Sequence, residues 1–438
     1  METDKTTLTD LSILNAEDDF SVFNKLNFCN TVGGKQKLLS NFLTPLKTIE
    51  QIQGIQDTLK CIIEKEQHWP MQVSNGGVMV IEKFYGATID EIPEHPSAAG
   101  AMAYKVFHGP DHSFVKYSVE HAFDFIKGMQ QMTAYFSNNE TPLPLKRILD
   151  EIAAMLNKEH FESLKPFKKS KELPVPKQLA LAHFLRYRYK QNMLNMLDMY
   201  YQLDAWYGMA MAVKKYNLVF PVFSNSSRPL LNIKGLFHLL LPQPVAYNIE
   251  LLPQKNFLFL TGANMAGKST FIKSIGTAVF MAHLGMGVPA QAMELSVYDG
   301  LLSNINVVDN IAKGESFFYN EVQRIKSTVQ KVADGKHWLI LIDELFKGTN
   351  VQDAMKCSTT VIEGFLKIKD STFILSTHLY EIGESLKQYP NIVFKYFETA
   401  VQDDQLLFNY HLKEGISNDR LGYLILKKEG VVNMLQNL

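Results

Sequence analysis

The chain of 438 residues is 46% apolar and 20% charged, which excludes a disordered polymer and leaves room for two or three domains with sizeable cores. Its formal net charge of −1 provides no overall basic field, so a role in nucleic-acid binding would have to rest on local patches. Three scattered cysteines, Cys29, Cys61 and Cys357, lack metal spacing and suit a reduced cytoplasm, and the polar start "METDKTTLTDL" predicts no secretory signal.

From the amino terminus, residues 8–66 predict helices. "DDFSVFNKLNFCNT", "GGKQKLLSNFLTPL" and "IEQIQGIQDTLKCIIEK" carry apolar residues three and four apart, with Gly33-Gly34 and Pro45 as punctuation. Two more long helices are expected at about 118–138 and 144–157. His108, His112 and His121 do not make a zinc site, because "HGPDH" breaks at Gly109-Pro110 and a fourth ligand is lacking. "KPFKKSKELPVPKQLALAHFLRYRYK", residues 165–190, holds eight Lys or Arg against one acid, Glu172, interleaved with Phe167, Tyr187 and Tyr189. Such a stretch either contacts phosphates or is a solvated loop followed by a helix with snorkelling cations, and both readings stay open. "QNMLNMLDMYYQLDAWYGMAMAVKKYN" is helical, its methionines most simply core packing.

Composition shifts near Asn217. Beyond the turn-rich "LVFPVFSNSSRPLL", the apolar runs "FLFLT", "HWLILID" and "STFILST" alternate with helical patterns, each followed by a polar loop. That alternation predicts a parallel sheet with its chemistry at the carboxyl ends of the strands. The apolar-leaning run 277–293 contains His283, Gln291 and three glycines or prolines, and is expected to be a buried helix rather than a membrane span.

The chemistry concentrates in four places. "TGANMAGKST", Thr261–Thr270, fits G-x-x-x-x-G-K-[ST]. Gly262 and Gly267 let successive N–H groups turn toward phosphates, Lys268 supplies charge, and the Ser269 hydroxyl is placed to bind Mg²⁺. The helix beginning near Ser269 adds its positive end. In "HWLILIDELFKGTN", Asp343 would hold the Mg²⁺ shell and Glu344 would polarise the attacking water. In "STFILSTHLYE", His378 is positioned to sense a γ-phosphate. In "NIAKGESFFYNEVQRI", Ser316 is a natural N-cap, and the same helix start can bind a γ-phosphate from outside its own domain.

The order phosphate loop, small-residue loop, Asp-Glu pair and histidine resembles the ABC-type ATPases. That resemblance implies a homodimer in which Ser316 of one copy completes the site of the other. More specifically, "TGANMAGKST" resembles the MutS-family loop TGPNMGGKST, with Asn264 and Met265 as the distinguishing residues. "VPA" at 288–290, "YDGLLSNI" at 298–305, "GESFFYNEV" at 314–322, "DELFKGT", "STHLYEI" and "YHLKEGISNDRLGYLILKKEGV" are also similar to MutS segments. The resemblance reaches into the amino half, where residues 8–64 look like the start of the family's core domain and the helix ending near Asn217 like its returning lever.

The implied architecture is an all-α core and lever domain at 1–216, an α/β phosphate-loop ATPase domain at 217–400, and a dimerisation segment at 401–438. The chain begins where the family's core begins, so its mismatch-recognition and connector domains are expected to be missing. Ala263 and Ala266 replace the family's Pro and Gly, Lys347 replaces an Arg, and "TN" replaces "TS" after the Asp-Glu pair. Where the family stacks a Phe on adenine, this chain offers Val245 with Tyr247 nearby, and Tyr396 is expected where the family has an adenine-stacking His. The nucleotide contacts are thus Gly262, Asn264, Met265, Ala266, Gly267, Lys268, Ser269, Thr270 and Tyr396, with Ser316 from a partner.

These implications predict a cytoplasmic, DNA-associated homodimeric ATPase that uses ATP and Mg²⁺, with repair or recombination proteins as possible partners and no membrane role. The alternative expectation is an ATP-gated scaffold whose helical arm binds a protein.

Overall fold

The computed structural model describes residues 1–15, 20–306, 317–402, 405–417 and 430–436. It divides into two compact units. One comprises Met1–Lys25, Thr44–Ile52 and Lys215–Leu438; the other comprises Leu26–Leu43 and Gln53–Lys214. Among the described residues, no helix is long and apolar enough to cross a membrane.

The chain opens with β1 (Glu2–Thr3), α1 (Lys5–Asp10) and α2 (Val22–Leu26). The second unit is all-helical: α3 (Val32–Leu43), most of α4 (Ile49–Glu64), α5 (Asn75–Gly86), α6 (Ala98–Phe107), α7 (Gly109–Phe136), α8 (Leu143–Leu156), α9 (Glu159–Glu162), α10 (Val175–His183) and α11 (Lys190–Lys215). The 28-residue α7 buries Val115, Val119, Ala122, Ile126 and Met129 along one stripe and packs against α5, α8 and α10. It begins earlier than the periodicity at 118 suggests, because Pro110 sits in its first turn, where the missing N–H costs nothing.

Gly33 and Gly34, expected as punctuation, lie inside the first turn of α3. Their role is close approach. A Cβ on Gly34 would stand 2.1 Å from Asp204 Oδ2 of α11, and one on Gly33 would stand 2.5 Å from the Tyr201 ring. The buried Asp204 carboxyl accepts from the backbone N–H groups of Asn30 and Thr31 at 2.9 and 2.8 Å and from the Thr31 hydroxyl at 2.7 Å. Burial pushes its pKa upward against these three hydrogen bonds.

The basic stretch 165–190 is partly consumed by its own unit. Arg186 lies over the Phe84 ring and donates to the carbonyls of Phe84 and Ala87, Arg188 pairs with Glu94 at 3.4 Å, and Lys165 pairs with Glu162 at 2.5 Å. Lys177 stands 5.2 Å over Phe167.

The remaining elements are β2 (Val222–Ser224), β3 (Leu231–Leu236), β4 (Tyr247–Leu251), β5 (Phe257–Thr261), α12 (Lys268–His283), β6 (Ala292–Ser296), β7 (Gly300–Asn304), α13 (Phe317–Val332), β8 (Trp338–Asp343), α14 (Val351–Phe365), β9 (Thr372–Ser376), α15 (Glu381–Leu386), β10 (Ile392–Gln402), β11 (Gln405–Glu414) and α16 (Val431–Gln436). A seven-stranded sheet runs β1-β7-β8-β9-β5-β10-β11, parallel throughout except at β10–β11. A four-stranded sheet runs β2-β6-β3-β4. Strands β5, β8 and β9 are buried along their whole length, which is why they read as unbroken apolar runs instead of alternating ones. The run 277–293 is not one helix: α12 ends at His283, Gly285 adopts φ +73°, and the chain turns into β6.

The boundary between units also differs from a single cut at 216, because the first 25 residues belong with the sheet. Glu2 and Thr3 pair in parallel with Gly300 and Leu301, and Asp4 caps α1 by accepting from Thr7 N at 2.8 Å. The buried Asp10 then accepts from Ser303 Oγ at 2.7 Å, Ile305 N at 3.0 Å and Asn306 N at 3.2 Å.

Candidate active site

The loop from Gly262 to Gly267 joins the fully buried β5 to α12. Its turn uses left-handed backbone at Gly262 (φ +143°), Met265 (φ +69°) and Gly267 (φ +103°). Space at 262 is also tight, since a Cβ would stand 3.2 Å from Phe397 Cβ. Asn264 and Met265 are exposed and Ala266 is buried, its N–H donating to Ala263 O at 3.2 Å. Gly267 caps α12 without a side chain, so no cap side chain satisfies the first-turn N–H groups, the kind of helix start that favours an anion.

Lys268 is buried and donates from Nζ to Gly262 O at 2.7 Å and Ala263 O at 3.0 Å, bracing the loop from inside. Burial lowers its pKa, opposed by the nearby Glu344 and Asp343 carboxyls. Asp343 ends β8 in register with Ser376 of β9. Its Oδ2 accepts from the Ser269 hydroxyl and its Oδ1 from the Ser376 hydroxyl. Ser269 and Asp343 thus meet as paired oxygen donors, the ligand type a hard divalent cation takes.

Glu344 follows with φ +66°, its N–H donating to Ser376 O at 3.0 Å. Its side chain is 16% exposed, with Oε2 at 3.3 Å from Lys347 Nζ and 3.6 Å from His378 Nδ1. Burial would raise its pKa, but contact with the His378 imidazole and the charges of Lys347 and Lys268 outweigh this and hold it at about 2. Glu344 is therefore ionised and paired throughout the physiological range, a group that orients a water better than it deprotonates one.

Lys268, Ser269, Asp343, Glu344 and His378 thus converge where β5, β8 and β9 end. Ser316 lies outside the described residues, as does most of the tail after 417. Tyr396 sits in β10 opposite Thr261, one residue short of the loop, with its ring beside Gly415. The aromatic that comes nearest Gly267 is Tyr410 of β11, which the sequence patterns did not single out. Its Cδ1 is 3.3 Å from a Cβ position on Gly267, its ring is 40% exposed, and its φ is +53°. Phe397 Cε1 and the Tyr247 hydroxyl are each 3.9 Å from the same Cβ position. Tyr247 is buried edge-on to Phe271 and Phe397, whereas Val245 is partly exposed. Glu321 of α13 was also missed. It is buried and accepts from the N–H groups of Lys347 at 3.1 Å and Gly348 at 3.3 Å. Neither residue carries a short-range signal, since both act across chain distances that only the fold closes.

The fold and this convergence define a two-unit protein, one unit helical and the other α/β, with its polar cluster at the carboxyl edge of a mainly parallel sheet. Residues 258–435 match the family model MutS domain V. Similar curated proteins are the DNA mismatch repair protein MutS of Pseudothermotoga lettingae, 31% identical over 50% of this chain and 27% of that protein; that of Petrotoga mobilis, 28% identical over 52% and 28%; and that of Thermotoga maritima, 28% identical over 57% and 31%. The chain thus spans less than a third of the length of these relatives. Its residues 258–435 thus carry a MutS domain V.

Proposed function

We propose that the chain is a Mg²⁺-dependent ATPase that hydrolyses ATP to ADP and phosphate and uses the cycle to change its grip on DNA as a homodimer. The observation that carries this reading is the meeting of Ser269 with Asp343 beside the buried Lys268, at the start of a helix with no side-chain cap. The phosphates would lie along residues 262–270, and Mg²⁺ would be held by Ser269 and Asp343, neutralising charge on the β- and γ-oxygens. Glu344 orients a water for in-line attack on the γ-phosphorus; the β–γ bridging oxygen leaves with ADP, and the water's proton passes to the phosphate product. His378, within reach of Glu344, would register the γ-phosphate, and Ser316 of a second copy would close the site. The adenine would meet Tyr410 or Tyr396.

The DNA part of the reading rests on the match to MutS domain V and on the similarity to DNA mismatch repair proteins. A role in repair or recombination follows from the same source. A second reading, an ATP-gated scaffold whose helical unit binds a protein, draws support from the intramolecular engagement of Arg186, Arg188 and Lys165 within the basic stretch. The test is fluorescence anisotropy of the Glu344→Gln protein with Mg-ATP on homoduplex, mismatched duplex, four-way junction and single strand at several salt concentrations. Binding that weakens steeply with salt and prefers one shape supports the DNA reading. Flat, absent binding across the panel sinks it in favour of the scaffold.

A further inference from the structure

The loop carrying Glu344 has an unusual backbone. Glu344 and Phe346 both adopt left-handed φ, +66° and +60°, without being glycine. Such backbone persists only where the surroundings over-determine it. On one side, Glu344 N is tied to Ser376 O at 3.0 Å. On the other side α13 supplies both a ring contact and a hydrogen-bonding carboxylate. Phe318 packs at 5.8 Å against the buried Phe346 ring, and the buried Glu321 carboxyl accepts both Lys347 N at 3.1 Å and Gly348 N at 3.3 Å. The helix is itself anchored at the end of β7, where Arg324 donates to Asn306 O at 3.0 Å and Thr328 accepts from Asn304 Nδ2 at 3.1 Å.

We propose that Glu321 is a positioning residue for hydrolysis: by gripping two successive N–H groups after Phe346, it sets the Lys347 backbone so that the Lys347 ammonium lands 3.3 Å from Glu344 Oε2 and fixes where that carboxylate points. The inference rests on the ATPase reading above. It goes beyond that reading because it makes the aim of Glu344 depend on α13, an element of the fold that contributes no group to the phosphate loop or to the Asp343 cluster. Displacement of α13 along its axis would carry Glu321 with it, and the water-orienting carboxylate would lose its register without any change at the loop 262–267.

The test compares the full chain with its Glu321→Ala and Glu321→Gln variants. Steady-state phosphate release gives kcat, and equilibrium titration with a fluorescent ATP derivative gives affinity. The expected result for Glu321→Ala is a fall in kcat of up to about a hundredfold with nucleotide affinity within about threefold of wild type, because a misaimed group costs rate before binding. Glu321→Gln keeps one acceptor oxygen for Lys347 N and should recover part of the rate. Wild-type kcat in Glu321→Ala overturns the proposal. So does a parallel loss of kcat, affinity and cooperative melting in both variants, which would mark Glu321 as a fold residue only. Absence of turnover by the wild-type protein is a separate result, seen before any variant is made, and it overturns the ATPase reading itself.

Discussion

Ser269 of α12 and Asp343 at the tip of β8, 74 positions apart, are joined by a hydrogen bond from the hydroxyl to Oδ2. The second Asp343 oxygen accepts from the buried Ser376 hydroxyl, so a single carboxyl links a helix and two strands. Asp343→Ala should therefore act twice. Leaving the Ser376 hydroxyl unpaired should lower unfolding free energy by about 2 kcal/mol, read by denaturant titration without nucleotide. Mg²⁺-dependent phosphate release should fall by at least about a hundredfold. Turnover retained at the wild-type Mg²⁺ dependence would refute the metal-holding role.

Lys347 and Glu344 give a pH prediction with a fixed sign. Glu344 titrates at about 2 instead of its ordinary 4.5, so the stability this shift contributes is fully present above 4.5 and is lost as pH falls through about 2. Lys347→Met removes one of the cations that depress it, so the folded-state pKa rises toward the ordinary value. Denaturant midpoints of the two proteins should differ at pH 7 and draw together as pH falls below 4. A constant gap across that range would show that Lys347 acts on something other than Glu344.

Tyr410 and Tyr396 make competing claims on the nucleotide base. Tyr410 lies against Gly267, while Tyr396 is paired with Thr261 inside the sheet edge. Replacing an aromatic that stacks on a base should cost about 1 kcal/mol, close to a fivefold loss of affinity. We expect that loss in Tyr410→Ala and near wild-type affinity in Tyr396→Ala, measured by titration with a fluorescent ATP derivative. The reverse pattern would return the base to Tyr396.

Gly34→Ala tests the helical unit. The new Cβ would stand 2.1 Å from Asp204 Oδ2, and Asp204 is pinned by three hydrogen bonds and has nowhere to go. Destabilisation of about 3 kcal/mol is expected from such overpacking, followed by urea titration of helicity. Gly86→Ala, with nothing within 4 Å of its Cβ position, should be neutral or slightly stabilising. Equal effects at the two sites would mean that α3 does not depend on this close approach.

Gly33 and Gly34 also show where sequence reading stops. A glycine pair looks the same whether it ends a helix or lets another helix come close, and only the position of α11 decides. Local patterns placed Gly262, Gly267, Lys268, Asp343 and Glu344 at or just beyond strand ends, where the structure has them, because a strand, its tip and the following loop are contiguous in the chain. They were insufficient for Glu321 and Tyr410, whose partners lie 26 residues away or more. The same holds for Asp10, which serves residues 293 to 296 positions distant.

The attachment of the first 25 residues to β7 bears on how the protein can be cut. A fragment beginning at residue 217 would contain the phosphate loop and both carboxylates, yet Ser303, Ile305 and Asn306 would lose the Asp10 acceptors. With β1 gone, β7 would become a bare strand margin open to pairing with other molecules. Such a fragment should self-associate and precipitate, whereas joining residues 1–25 to it by a flexible tether should keep it monodisperse. The opening segment is therefore a covalently supplied chaperone for the sheet's far side, and solubility rather than catalysis is where its removal would first be noticed.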